Sequence, residues 1–445
     1  MTALPLEAAP GADALTLPWR EPVEALAALR DEPMTLLMLG GADGVCGRRS
    51  YLCAFPDFTI IEDDPRTAFG QLKARRPDIR PVAGSDGFSG GYAGLFGYDL
   101  GQAFEAAPQS PPGLAAWPAV AVGWYSAVAV FDHGAQTLTV RGAPDAARRL
   151  GAAIEAGAAP EQAGPGAFEP VWSEARYLEA ARRAVDYVRA GDVFQVNLSH
   201  PFRGALPGAD GPFRLIRRLA AQSPAAFSAY LRLDETRAVV TNSPERFVSV
   251  DAGGGVQTRP IKGTRARSAA PQEDARAAAE RAASQKDRAE NLMIVDLMRN
   301  DLARVCATGS VRTPELFKVE SFANVHHLVS TVTGQLAEGR NVFDLIAAAF
   351  PPGSITGAPK VRAMEIIAEL EGESRGPYCG ALGWIGADGA ADLNVMIRTA
   401  ACVKDGEGWR AEVRSGGAIV IDSDPAEELA ETRAKAGALF NAAGP

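Results

Sequence analysis

The chain has 445 residues, 47% of them hydrophobic, and a formal net charge of −9. That length and apolar content support a core larger than one ordinary domain, and the acidic balance argues against a nucleic-acid-binding surface, so an anionic substrate would need a local basic pocket. Five scattered cysteines (Cys46, Cys53, Cys306, Cys379, Cys402) form no CxxC pair and there are four histidines, which suggests neither a disulfide frame nor a zinc site.

The first residues, MTALPLEAAPGADALTLPWR, lack the basic and apolar regions of a signal peptide, and no apolar run reaches membrane-spanning length; a soluble cytoplasmic protein is expected. Up to about residue 150, short apolar runs alternate with turns (MTLLML, FTIIE, VAVGWYSAVAVFDH, TLTV), so strands dominate. GGYAGLFGYDLG (Gly90–Gly101) does not have phosphate-loop spacing and reads as a glycine-rich strand or bend against another sheet. Residues 151–170, rich in Ala, Gly and Pro, read as a linker. A helix follows, with Ser173 as its cap and Gly191 at its end, then the strand VFQVNLSHPF and the helix PFRLIRRLAAQS.

SPERF (Ser243–Phe247) and RPIKGT (Arg259–Thr264) flank VSVDAGGGVQT, which reads as two short strands around a Gly-rich turn. Such a hairpin carries Glu245 and Lys262 to one end of a sheet, a proton carrier beside an amine. Pro260 stiffens the chain before the lysine, and Gly263 after it lets backbone approach a ligand closely. Spacing alone, however, leaves Lys262 a surface lysine beside a turn.

One long helix is expected from about Gln272 to Val305, with Asp287 and Glu290 sharing a face and Leu292, Val295, Met298 and Leu302 on the buried side. GSITGAPK (Gly353–Lys360) can offer backbone N–H groups and the Thr356 hydroxyl to an anion, before a helix starting near Pro359. GALGWIG, DLNVMIRTAACV and AEVRSGGAIV read as three consecutive strands. Arg398 lies in the second, where a charge among apolar neighbours requires a partner. The last helix opens with Asp424 as N-cap, Pro425 at the first position and Glu427 at the capping-box position, and carries Glu428 and Glu431 three residues apart. No repeat of fixed period is present, and runs of strands with long helices outside them indicate an α+β architecture with large, mainly antiparallel sheets.

SPERF, QTRPIKGT, ENLMIVDLMRNDLARV, VHHLVSTV and GSITGAPKVRAMEII, in this order, resemble the chorismate-utilising enzymes, densely from about Tyr177 to the C-terminus and more thinly before it. The resemblance implies two large antiparallel sheets packed together, helices outside, and the active site in a cleft. It also implies an N-terminal strand-rich region of the anthranilate synthase component I type over 1–150, the linker over 151–170, and a chorismate-binding catalytic domain over 171–445. Replacing the ring hydroxyl of chorismate needs a proton source, and the resemblance assigns Glu245 to that task, Lys262 to nucleophilic attack and His327 to the active site. Thr356, Tyr378, Arg398, Gly416 and Lys435 are the expected substrate contacts. Mg²⁺ is the expected cofactor, held directly by Glu290 and Glu431 and through water by Asp287 and Glu428, which suits a hard cation that keeps part of its hydration shell.

Without the resemblance, both acidic pairs read as solvated helix surface, with Glu428 also suiting the helix dipole. Tyr378 and His327 then read as satisfied core groups. Ala418, in SGGA, stands where the family usually has glycine. The lysine in PIKGT, where anthranilate-forming members usually carry alanine, implies amination of chorismate to 4-amino-4-deoxychorismate, the precursor of p-aminobenzoate and folate. The ammonia would come from a class I glutamine amidotransferase partner, since no glutaminase Cys–His pair is visible in the chain. An unperturbed lysine is neutral in roughly one molecule in 2,500 at pH 7, so Lys262 needs desolvation or like charge, and Arg259, Arg265 and Arg267 flank it. Gln195 stands where isochorismate- or salicylate-forming relatives carry a lysine base. The rival readings are anthranilate formation and a catalytically silent chorismate-binding subunit; Glu245, Lys262 and the acidic pairs argue against the second.

Overall fold

Alternation of side chains along strands, one face to each side, builds this molecule. In the strand Gly91–Phe96, Ala93 and Leu95 point one way and Tyr92 and Phe96 the other, and all four are buried. A strand buried on both faces lies between two layers, and the computed structural model, which describes residues 14–40, 48–75, 87–157, 164–267, 270–321 and 325–444, shows which.

Two sheets, antiparallel at every described pairing, pack face to face. The 12-stranded sheet runs Leu15–Leu17, Thr137–Gly142, Ala127–Asp132, Arg49–Cys53, Thr35–Met38, Phe227–Arg232, Arg237–Ser243, Thr399–Asp405, Gly408–Ile419, Gln195–Leu206, Gly357–Ala358, with Ala167–Pro170 also on Gln195–Leu206. The 10-stranded sheet runs Ile261–Ala266, Val325–Gln335, Gly255–Arg259, Arg246–Val250, Ala391–Asn394, Ala381–Gly386, Gly91–Phe96, Val120–Tyr125, Phe58–Glu62, with Arg312–Ser321 on Val325–Gln335. Leu36, Val130, Leu231 and Val239 of the first meet Ala93, Leu95, Leu382 and Trp384 of the second in one core cluster. Burial of each large apolar side chain there contributes about 1.5–3 kcal/mol. Helices cover both outer faces, as the α+β reading expected.

Several local readings are corrected. The span from Gln272 to Val305 is two helices, Pro271–Ala283 and Gln285–Ala303. Ser284 breaks it, with extended backbone and a side chain that accepts the Asp287 N–H to start the second helix. Leu292, expected on the buried side, is 44% exposed, and Ile294 takes its place in the core. DLNVMIRTAACV is not one strand: Ala391–Asn394 belongs to one sheet and Thr399–Asp405 to the other, so the chain crosses between layers at 395–398. Residues 151–170 carry the end of the helix Pro144–Glu155 and the strand Ala167–Pro170, which pairs with Gln195–Leu206. Strands from residues 1–150 join both sheets alongside strands from 171–445.

Behind the sheet lies a fully satisfied buried carboxylate. Glu371, 0% exposed, accepts from Arg375 Nη2 (2.6 Å), Arg414 Nη2 (3.0 Å), the Ser199 N–H (2.8 Å) and the Ser199 hydroxyl (2.9 Å). The two guanidiniums hold its carboxyl below the usual range against the opposing effect of burial, which is the largest single influence. A lowered folded pKa means stability that is present above the unfolded value and lost as pH falls through the folded one. Glu371→Ala strands two buried guanidiniums and should lower unfolding free energy by about 3–5 kcal/mol in urea titration at neutral pH.

Candidate active site

The hairpin expected between SPERF and RPIKGT forms: Arg246–Val250 pairs with Gly255–Arg259, and Arg246 lies opposite Arg259, so Glu245 and Pro260 meet at its open end. Arg246 grips Asp392 through two hydrogen bonds of 2.9 Å, pinning that end to the neighbouring strand. Ser243 fixes the Glu245 main chain: its hydroxyl donates to Val395 O (2.6 Å) and its oxygen accepts the Glu245 N–H (3.2 Å). The Val395 N–H then donates to Glu245 O at 3.0 Å.

Three segments converge on the Glu245 side chain, which is 5% exposed. Burial pushes its carboxyl up to about 7; the Ser354 hydroxyl, the Lys262 charge, the Ile261 N–H and the Arg398 charge act in the opposite sense. A carboxyl poised near neutrality serves as both proton donor and acceptor. The Glu245 carboxylate, when ionised, is the charge that supports Arg398 against the effect of burial. Arg398 does not sit in a strand, however: with φ of 52° it occupies the left-handed region at the crossing between sheets. That conformation costs on the order of 1–3 kcal/mol in a non-glycine residue and is held here by the Asn242 N–H on Arg398 O at 2.9 Å.

Lys262 pairs with Leu328, and regular pairing then breaks before Thr264 meets His327. Gly263, with φ of 67°, makes that irregularity possible. Burial lowers the Lys262 pKa most. Lys435 lowers it further, while Glu290, Glu245 and Glu431 raise it. The like charge acting on the amine is Lys435, which is itself paired with Glu431 at 2.6 Å. Arg259 is instead ion-paired with Glu320, and Arg267 with Asp274 at 2.7 Å; the Arg265 side chain lies outside the described residues. His327 is buried, and its neighbour His326, on the other face of the strand, bonds Ser321 (2.8 Å) and Asp274 (2.9 Å).

The GSITGAPK segment is braced from behind. Its Thr356 hydroxyl donates to Pro352 O (3.1 Å), Arg375 holds Ile355 O (2.9 Å), and Lys360 is buried against Asp301 (3.0 Å) and Ala349 O (2.9 Å). The residue this loop gives to Glu245 is Ser354, which nothing in the sequence singled out. Tyr378 is buried with the Arg375 guanidinium 5.7 Å from its ring centre, and the charges acting on it are Cys379, Arg375 and Glu371. In SGGA, a methyl on Gly416 would meet Leu198 O at 2.5 Å, so that glycine allows close strand approach. A methyl on Gly417 would come within 2.8 Å of Glu428 Oε2 and 3.8 Å of Lys435 Nζ, so Gly417 is the glycine beside the site's charged groups. Gly416 contributes its carbonyl, which accepts from Lys435 at 3.0 Å.

The four acidic residues come from two helices. Asp287 and Glu290 lie in the first turns of Gln285–Ala303, and Glu428 and Glu431 in those of Pro425–Ala443, where Asp424 caps through the Ala426 and Glu427 N–H groups. Glu290 and Glu431 both act on the one Lys262 amine, so the two helix starts face a common space. Among the described residues no three His, Cys, Asp or Glu side chains stand together as a ready-made cage. Glu431 is paired with Lys435 at 2.6 Å; carboxylates of this kind would suit Mg²⁺, which usually takes one or two of them and fills its octahedron with water and substrate.

A model of chorismate binding enzymes matches residues 57–441. The chain belongs to the chorismate binding enzyme family. Within that family it is 40% identical to aminodeoxychorismate synthase component 1 of Escherichia coli (strain K12) over 410 residues, 90% of this chain and 88% of that one. It is 40% identical to anthranilate synthase component 1 of Streptomyces coelicolor over 452 residues, 95% and 86% of the two chains. The solved structure of anthranilate synthase component I from Streptococcus pneumoniae TIGR4 superposes with a TM-score of 0.78 at 31% identity, covering 89% of this chain and 93% of that one. The fold of this chorismate binding enzyme is therefore the one its motifs implied.

Proposed function

We propose that this chain is the chorismate-aminating component of an aminodeoxychorismate synthase, forming 4-amino-4-deoxychorismate. Relatives of both the aminodeoxychorismate and the anthranilate type match at 40% identity, so overall likeness does not choose between them. The observation that carries the choice is Lys262, an amine lowered in pKa by burial and by Lys435, within electrostatic reach of a Glu245 carboxyl poised near 7. In this reading the neutral Lys262 amine bonds to carbon 2 of the ring as the double bond shifts and the 4-hydroxyl leaves. Glu245 delivers the proton that makes the leaving group water. Ammonia then bonds to carbon 4, both ring double bonds return and the lysine departs as the neutral amine, while the Glu245 carboxylate takes back a proton from the added nitrogen, so that chorismate and ammonia become 4-amino-4-deoxychorismate and water. Arg398 and Lys435 supply the positive charge that a dicarboxylate substrate needs. Bound Mg²⁺ would neutralise substrate carboxylate charge, with Glu290 and Glu431 as its ligands and Asp287 and Glu428 behind water. A glutamine amidotransferase partner would furnish the ammonia, and the setting would be the cytoplasm; no described helix is long and apolar enough to cross a membrane.

Incubation with chorismate, ammonium and Mg²⁺ should yield 4-amino-4-deoxychorismate by mass spectrometry and chromatography, whereas anthranilate as the main product would contradict the reading. Chelation should abolish turnover and added Mg²⁺ should restore it. Full activity in chelator without a divalent ion would remove the metal from the account.

A further inference from the structure

We propose that Ser423 and Tyr177 are positioning residues that orient the Glu428 carboxylate for Mg²⁺; the proposal rests on the metal reading above. Ser423, 8% exposed, precedes the cap of the helix Pro425–Ala443, and its hydroxyl donates to Glu428 Oε1 at 2.7 Å. The same oxygen accepts the Val420 N–H at 3.1 Å, and the Ser423 N–H returns to Val420 O at 3.1 Å. With its oxygen taken by that N–H, the hydroxyl proton is committed to the carboxylate. A tight turn at the end of the strand Gly408–Ile419 therefore fixes one oxygen of a carboxylate that is itself only 6% exposed.

Fixing Oε1 aims Oε2. That second oxygen lies over Gly417, where a methyl would come within 2.8 Å of it, in the space that also holds the Lys435 ammonium. Tyr177 approaches from a separate helix, Glu174–Ala190, with 0% exposure and a hydroxyl that has no hydrogen-bond partner among the described residues. The charges acting on that phenol most strongly are those of Glu428 and Glu431. A buried donor without a partner among the described residues, within the electrostatic reach of two carboxylates, is suited to a water or an ion-bound oxygen between them. Groups that hold metal-facing carboxylates typically change metal affinity 10–100-fold when removed.

Ser423 could instead serve only to close its turn, and a metal titration separates the two roles. The melting temperature of the full chain would be followed against Mg²⁺ for the wild type, Ser423→Ala, Ser423→Thr and Tyr177→Phe. Ser423→Ala should shift the Mg²⁺ midpoint upward by about 10–100-fold, measured from its own lower metal-free melting temperature, Ser423→Thr should restore the midpoint, and Tyr177→Phe should raise it. A wild type with no Mg²⁺ response overturns the metal reading and this proposal together. A wild-type response that Ser423→Ala and Tyr177→Phe leave unchanged overturns the positioning role alone. If Ser423→Ala does not fold, the Tyr177→Phe midpoint decides, and an unshifted value counts against the proposal.

Discussion

Lys262→Ala should lose 4-amino-4-deoxychorismate formation by about a thousandfold or more, equivalent to roughly 4 kcal/mol of barrier. The fold should survive, because Lys262 pairs with Leu328 through main-chain groups that alanine retains. The truncation also vacates the approach to carbon 2 of the ring. Ammonia arriving there would expel the 4-hydroxyl as water and give an ortho-aminated product that keeps the enolpyruvyl ether, so a trace of that compound should replace the lost product. Product analysis by chromatography, with circular dichroism to confirm folding, checks both parts. Wild-type rate and product from the variant would mean that Lys262 is not the nucleophile.

Glu245→Gln should lower kcat/KM by about 10²–10⁴, the usual contribution of a positioned acid or base. The same substitution has an opposite effect on stability, and the sign follows from the raised carboxyl. A folded-state pKa of about 7 against an ordinary 4.5 means the fold favours the protonated form. The stability this contributes is fully present below the unfolded value and is lost as pH rises through about 7. Above that pH the wild type carries a buried carboxylate, whereas glutamine stays neutral. Glu245→Gln should therefore be the more stable protein at pH 8, by up to about 3 kcal/mol, and should lose that advantage toward pH 4. In the wild type, loss of the acid form should bend the kcat/KM profile downward as pH rises past about 7, against the gain that deprotonation of Lys262 brings. A flat profile with unchanged stability would mean that Glu245 does not hold the proton.

Local grammar made much of this legible in the sequence. Ser173 and Gly191 bound their helix as expected, Asp424 and Pro425 open the last one, and the glycine-rich turn at 253–255 joins two paired strands. These features depend on near neighbours in the chain. What escaped depends on pairing between distant segments. Arg398 looks like a strand residue because its neighbours are apolar on both sides, yet that pattern also describes a crossing between two layers of a sandwich. The arginines around Lys262 looked like its source of like charge, but Arg259 and Arg267 pair with residues on other elements, and the cation that acts on the amine is Lys435, far along the chain and itself paired with Glu431. Ser354 and Ser423 carry no signal of their own, since a serine beside a turn is common and only the fold shows which carboxylate it meets. The acidic pairs were visible as pairs; that Glu290 and Glu431 act on one amine required two helix starts to be placed together.

The central claim is that the Lys262 amine forms a covalent bond to the substrate. Intact-mass spectrometry of the protein after incubation with chorismate and Mg²⁺, with ammonia withheld, tests it most directly. The account predicts an added mass equal to chorismate less one water, mapped to Lys262 by peptide fragmentation, absent from Lys262→Ala and discharged as 4-amino-4-deoxychorismate when ammonium is added. Wild-type protein that turns over chorismate with ammonium, yet carries no adduct on Lys262 when ammonium is withheld, would contradict it.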